Sequence, residues 1–372
     1  MPRTQLSHSD RAQCCWVISQ GRTRSSSLTL SNLQEHVMLG GRGGGGIGSG
    51  HKVRLQVPVR TMLLPQETGG QDGHYHRSFC WHVKPIHLHS GMKGIGKETA
   101  RDLASRGARV ILACRNTDKA QKVAEDIMRT TGNRKVVVRQ LDTSDLASVR
   151  KFAQGILATE TALHVLVNNA GIVGMGEKNL TADGLELTMA TNYFGHFLLT
   201  NMLLGLLKAS APSRVVNVSS LGHTFCTSIN PDDLNYEKTP FPGSRVVYGH
   251  TKLGNILFTN ELSKKVHGTG VTTNSVHPGA VYTEILWKTS HKNILTYLFG
   301  FFFWLMAKDE KLGAQTLIYL SVSEEVDSVS GKYFVDCKQS NTSNLAQDPD
   351  LAKKLWDTSE QLVKLKPEEK HY

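Results

Sequence analysis

From residue 91 onward the chain alternates between two textures. Short runs of β-branched and apolar residues predict strands: RVILA (109–113), KVVVRQL (135–141), LHVLVN (163–168), SRVVNVS (213–219), VTTNSVH (271–277) and KYFVD (332–336). Between them, apolar residues recur at three- and four-residue spacing, which predicts helices beginning near Gly94, Asp118, Ser144, Ala182, Val246 and Asp309. Runs such as VVV and VLV offer apolar side chains to both faces of a sheet, and both faces must then be covered by helices. The pattern predicts an α/β fold: a doubly wound, Rossmann-like, mostly parallel sheet over residues 91–345, followed by a C-terminal helix and tail at 346–372.

Residues 1–90 read differently. They hold Ser/Thr clusters, the Gly-rich tract LGGRGGGGIGSG (39–50), half of the 16 histidines and few periodic apolar segments, a composition that predicts linker or disorder. One segment, KVRLQVPV (52–59), alternates like a short strand but contains Pro58. Of the net charge of +11, this front part supplies +6, from ten Lys/Arg against four Asp/Glu. The basic residues are scattered and not interleaved with aromatics, so nucleic acid is not an expected partner. The six cysteines form no CxxC pair and no metal spacing with histidine. A reducing or cytosol-facing setting without a metal site is expected. No run reaches the roughly 18 apolar residues that span a bilayer. The run ILTYLFGFFFWLM (294–306) is apolar throughout and suited to lying on a membrane surface.

The residues suited to chemistry cluster where strands are predicted to end. Gly94, Ile95 and Gly96 open a helix, and a glycine turn there lets backbone N–H groups and the helix dipole receive a pyrophosphate. Arg115 follows the next strand, where an arginine suits a ribose 2′-phosphate and a carboxylate would suit the 2′-hydroxyl, so NADP(H) is expected over NAD(H). Asp142 can accept a bond from an adenine amino group or cap the helix near Ser144. Asn169, Ala170 and Gly171, in NNAG (168–171), form a turn able to lie against a cofactor. Asn192, in TNYFGHF, is an amide inside a helix, suited either to a backbone bond or to holding a water.

The most specific constellation comes next. Ser219 and Ser220 end a strand, and Tyr248 and Lys252 stand at i and i+4 on one helix face. A nearby ammonium stabilises a phenolate and is expected to lower the tyrosine pKa toward the working range, while a serine hydroxyl can bond a substrate oxygen where charge develops. Pro278, Gly279 and Thr283, in HPGAVYT, follow the sixth predicted strand, with Thr283 placed to bond a phosphate or carboxamide.

Through GIGKETARDLA, LACRN, LDTSDL, LVNNAGI, NYFGHFLLT, RVVNVSSLGH, YGHTKLGNILF, VHPGAVYTE and SGKYFVDC, residues 94–340 resemble the short-chain dehydrogenase/reductase superfamily, and its retinol dehydrogenase branch in particular. The resemblance implies a catalytic tetrad of Asn192, Ser220, Tyr248 and Lys252, with the second serine of the pair in the active role. It implies that Lys252 also bonds the nicotinamide ribose and that Asn192 holds a relay water. The implied substrate is a retinoid or another lipid alcohol or aldehyde, handled on endoplasmic reticulum membranes.

The sequence departs from the family at one place. The fingerprint TGxxxGIG follows an apolar first strand in the family, whereas here His89, Ser90 and Gly91 precede Met92 and Lys93, and HRSFCWHVKPIHLH carries Pro85. Either an atypical segment such as VKPIHL fills the central slot, or an alternative exon has removed the true strand. The second case makes a catalytically impaired relative the rival to an active enzyme.

Overall fold

A computed structural model describes residues 14–19, 94–174, 176–279 and 308–372. The chain divides into two units, Met1–Arg24 with Met92–Tyr372, and Ser25–Gly91. The second unit lies outside the described residues, as do the 294–306 run and Thr283. The 52–59 and VKPIHL segments fall within that second unit.

The strands of the first unit are β1 (Cys14–Ser19), β2 (Arg109–Cys114), β3 (Val136–Gln140), β4 (Val165–Asn168), β5 (Ser213–Val218), β6 (Val271–His277), β7 (Tyr333–Val335) and β8 (Lys338–Gln339). They form one sheet in the order β3-β2-β1-β4-β5-β6-β7-β8. The neighbours β2 and β3, β4 and β5, β5 and β6, and β6 and β7 run parallel. The helices are α1 (Ile95–Ser105), α2 (Thr117–Thr131), α3 (Leu146–Thr159), α4 (Leu187–Met189), α5 (Gly195–Ala209), α6 (Ser244–Lys265), α7 (Glu310–Val322) and α8 (Pro349–Leu362).

The strand alternation sorts the apolar residues into two cores. Val110 and Leu112 of β2 pack with α1, α2 and α7. Ile111 and Ala113, pointing the other way, pack with α3, α5, α6 and α8. A strand buried on both faces needs apolar residues at every position, which is the reason RVILAC has no polar alternation. The helix starts are set by side-chain caps: Asn116 accepts from the Lys119 N–H at 2.9 Å, and Asp145 accepts from Ala147 and Ser148.

The central slot between β2 and β4 is filled by β1, in a segment to which no element is assigned from sequence. β1 runs antiparallel to both neighbours, with Cys14 opposite Cys114 and Ser19 opposite Arg109, and with Trp16 opposite Val167. CCWVIS is short, rich in strand-forming residues and free of proline, so its backbone can pair on both sides. Its direction has a structural cost. A parallel strand would end beside the glycine turn, whereas β1 ends beside Arg109, the first residue of β2, and residues 20–93 intervene before Gly94.

Between α4 and α5 the helix passes through a π turn, Ala190–Phe194. At its end, a Cβ on Gly195 would lie 2.1 Å from the Thr143 carbonyl oxygen, so only glycine lets the helix touch the loop after β3. Behind the π turn, Phe197 packs on Trp356 at 4.9 Å between ring centroids and Phe258 stacks on Trp356 at 5.6 Å. These contacts lock α5, α6 and α8 together, each pair contributing about 0.5–1.5 kcal/mol beyond its buried area.

Candidate active site

Of the predicted site residues, Asn192, Ser220, Tyr248 and Lys252 lie near the carboxyl ends of β4 and β5, on or against α6. Tyr248 and Lys252 lie one turn apart on α6, and the Lys252 Nζ is 5.4 Å from the centre of the Tyr248 ring. The ammonium donates to the Val218 carbonyl at 3.0 Å, which is shared with the Asn255 side-chain amide at the same distance. Burial lowers the Lys252 pKa to about 8. Burial also pushes the Tyr248 phenol up, opposed by the neighbouring Ser220 hydroxyl. Desolvation of the phenolate therefore sets the net direction here, opposite to the lowering expected from the ammonium.

The two serines separate clearly. Ser219 is 2% exposed and donates to the Lys252 carbonyl at 2.7 Å. Ser220 faces Tyr248 and accepts from the Gly222 N–H at 3.1 Å. A Cβ on Gly222 would come 3.3 Å from the Tyr248 ring, so glycine keeps the serine-to-tyrosine gap open.

Asn192 sits in the π turn and is fully buried. Its Oδ1 accepts from the Ile172 N–H at 2.8 Å, and its Nδ2 donates to the Ile172 carbonyl at 2.8 Å and to Thr251 Oγ1 at 3.2 Å. Its own carbonyl accepts from His196 Nδ1 at 3.0 Å. Both amide hydrogens are thus taken by protein partners, and a water on the side chain would donate to the second lone pair of Oδ1. A Cβ at Gly171 would lie 3.5 Å from Asn192 Oδ1 and 3.6 Å from Lys252 Nζ, placing the NNAG turn against both. Asn168 braces the strands, donating to Asn217 Oδ1 at 2.8 Å and Thr200 Oγ1 at 2.9 Å.

The residues that could hold a nucleotide fall in four parts. Gly94 stands at the start of α1 with no side-chain cap, and a Cβ there would meet nothing within 4 Å. Ile95 and Gly96 form the first turn of α1, Gly96 being buried. Arg115, after β2, lies 3.7 Å from Asp142, after β3. Asp142 Oδ1 accepts from the Ser144 N–H at 2.9 Å, while Asp145 is the residue that caps α3, so the capping role falls to Asp145. Pro278 follows β6, and Gly279 has φ of 89° and abuts Lys308. An uncapped helix N-terminus, a guanidinium beyond β2 and a buried ammonium beyond β5 match the phosphates and ribose of a dinucleotide. Among the described residues, no group of histidine, cysteine and carboxylate side chains could hold a metal.

Two residues at the site were not found from sequence. His223 donates through Nδ1 to the Ser220 carbonyl at 2.7 Å and accepts through Nε2 from the Ser343 N–H at 3.4 Å. Thr251 links Asn192 to the α6 backbone, donating to the Tyr248 carbonyl at 2.7 Å.

The family model for short chain dehydrogenase matches residues 86–228. The chain is 48% identical over 272 residues to human Retinol dehydrogenase 11, covering 73% of this chain and 83% of that protein. It is 43% identical over 274 residues to mouse Retinol dehydrogenase 13, covering 73% and 81%. A crystal structure of an uncharacterized protein from Mycobacterium Paratuberculosis is 35% identical and superposes with a TM-score of 0.56, covering 73% of this chain and 90% of the other. With its doubly wound sheet and with identity on this scale over most of each relative's length, the chain belongs to the short-chain dehydrogenase/reductase superfamily, in its retinol dehydrogenase branch, a group of oxidoreductases that use a nicotinamide cofactor.

Proposed function

We propose that this protein is an NADP(H)-dependent oxidoreductase that interconverts a lipophilic alcohol and its aldehyde, of the retinol and retinal type, through Tyr248, Lys252, Ser220 and Asn192. The observation that carries the reading is the juxtaposition of the Ser220 hydroxyl and the Tyr248 ring, both within 3.6 Å of the Cβ position of Gly222, with the Lys252 ammonium over the same ring. When bound, the reduced cofactor supplies a hydride to the carbonyl carbon. Tyr248, kept protonated by its burial, donates its proton to the carbonyl oxygen. Ser220 donates a hydrogen bond to that oxygen as charge develops on it. Gly94–Gly96 receive the pyrophosphate, Arg115 the 2′-phosphate, Asp142 the adenine side, Asn169–Gly171 and Pro278–Gly279 the nicotinamide half, and Lys252 the ribose. The relatives' names support the substrate class, and the 294–306 run supports contact with a membrane surface, as at the endoplasmic reticulum. No helix among the described residues is long and apolar enough to cross a bilayer.

The test is reduction of retinal by the purified full chain, with NADPH and NADH compared, alongside Tyr248→Phe. The expected result is NADPH-dependent turnover that falls about 10²–10⁴-fold in the variant while NADPH still protects it against heat. Full activity of the variant would overturn the assignment. A second reading, an impaired relative, is favoured by the reversed β1. It predicts no thermal protection by saturating NADPH in the parent chain.

A further inference from the structure

The segment YGHTK holds a polar residue whose partners are two of the four proposed catalytic groups. Thr251 is fully buried on α6. Its hydroxyl proton goes to the Tyr248 carbonyl, at 2.7 Å, a bond that a helical threonine commonly makes within its own turn. The bond it accepts is different in kind. Asn192 Nδ2 reaches it at 3.2 Å from the π turn, 59 residues away in sequence.

Asn192 is itself held in two directions by Ile172, which lies just beyond the NNAG turn. The amide therefore rivets three segments: the loop after β4, the π turn and, through Thr251, the catalytic helix. The consequence concerns distance. Lys252 Nζ and Asn192 Oδ1 both stand within 3.6 Å of the Cβ position of Gly171. A shift of α6 relative to the π turn would carry Tyr248 and Lys252 away from Ser220 and from the turn that faces the cofactor.

We infer that Thr251 is a positioning residue for the proton transfer, setting the register of α6 against Asn192 through its hydroxyl. This rests on the reading in which Tyr248 donates the proton. Valine has nearly the same shape and cannot make either bond; serine keeps both. The misplacement expected from losing the hydroxyl is below 1 Å, and errors of that size cost up to about 10²-fold in rate.

The experiment compares Thr251→Val, Thr251→Ser and Asn192→Ala, with the double variant Asn192→Ala/Thr251→Val, in the full chain. Expected values are a kcat for Thr251→Val lowered roughly 10- to 100-fold, with KM and NADPH thermal protection nearly unchanged, and recovery of most of the kcat in Thr251→Ser. In the Asn192→Ala background, adding Thr251→Val should cost little more, because the rivet is already broken. Should Thr251→Val fail to fold, Thr251→Ala, which also lacks both bonds, replaces it with the same expectations. A kcat for Thr251→Val equal to the parent's, an equal loss in Thr251→Ser, or full additivity in the double variant would overturn the inference. Tyr248→Phe separates the two failures: if it is inactive while Thr251→Val is normal, only the inference fails, and if it is active, the underlying reading fails.

Discussion

The Ser219 hydroxyl donates to the main-chain carbonyl of Lys252 at 2.7 Å, tying the end of β5 to the turn of α6 that carries the ammonium. That bond takes Ser219 out of the chemistry and leaves its neighbour facing Tyr248. Ser219→Ala should cost about 0.5–1.5 kcal/mol of stability, the net worth of the lost bond, since the Lys252 carbonyl keeps its helical partner, and should reduce turnover only modestly. Ser220→Ala should leave the thermal midpoint nearly unchanged and lower kcat by about 10²-fold or more. Paired melting and kinetic measurements check this; the reverse pattern would exchange the two roles.

Arg115→Asp should move the kcat/KM ratio from NADPH toward NADH by roughly tenfold or more, the equivalent of about 1.4 kcal/mol. The substitution removes a guanidinium and places a carboxylate near Asp142, now 3.7 Å from the arginine. Steady-state kinetics with both cofactors decide it, and an unchanged ratio would make Arg115 a bystander.

Lys252 gives the protein a pH dependence of unusual sign. Its folded pKa is lowered to about 8 by burial, whereas the unfolded chain holds the same proton to about 10.4. Between those values the unfolded state binds more protons, so stability rises with pH. Cys226, raised to about 11 by burial, and Tyr248, also raised, act in the opposite direction at higher pH. Between about pH 8 and 9 the parent should gain about 1 kcal/mol relative to Lys252→Met. Thermal midpoints across that interval test it; parallel curves for the two proteins would exclude it.

Val17 lies opposite both Ile111 and Leu166 in the middle of the sheet. Val17→Pro removes an N–H from a strand with neighbours on both sides and should lower stability by at least about 1–3 kcal/mol, a fall of several degrees in Tm for a domain of this size. Val17→Ile, which keeps both the N–H and an apolar side chain, should melt much nearer the parent. Equal midpoints for the two variants would mean that Cys14–Ser19 does not hold the central slot.

The alternation of strand and helix was legible because each element is long enough to show its own period. KVVVRQL and LHVLVN were trimmed to Val136–Gln140 and Val165–Asn168, and the helix expected near Ala182 begins at Leu187. The pairing of Tyr248 with Lys252 follows from helical spacing alone. What could not be read depends on partners distant in sequence. His223 meets Ser343, 120 residues on, and Thr251 meets Asn192. The π turn that sets Asn192 leaves no mark on ATNYF that local propensity would register. β1 was missed because six residues in a glycine- and serine-rich stretch carry little periodic signal, and pairing with β2 and β4 sets its direction.

That reversed strand changes what kind of element the middle of the sheet is. In a parallel arrangement, strand and phosphate turn are one continuous piece, and neither can leave without the other. Here residues 20–93 separate Cys14–Ser19 from Gly94 in sequence, so the strand that completes the sheet and the turn that opens α1 are independent pieces of chain. A substitution in Cys14–Ser19 can therefore weaken the sheet without altering the residues that stand at the start of α1.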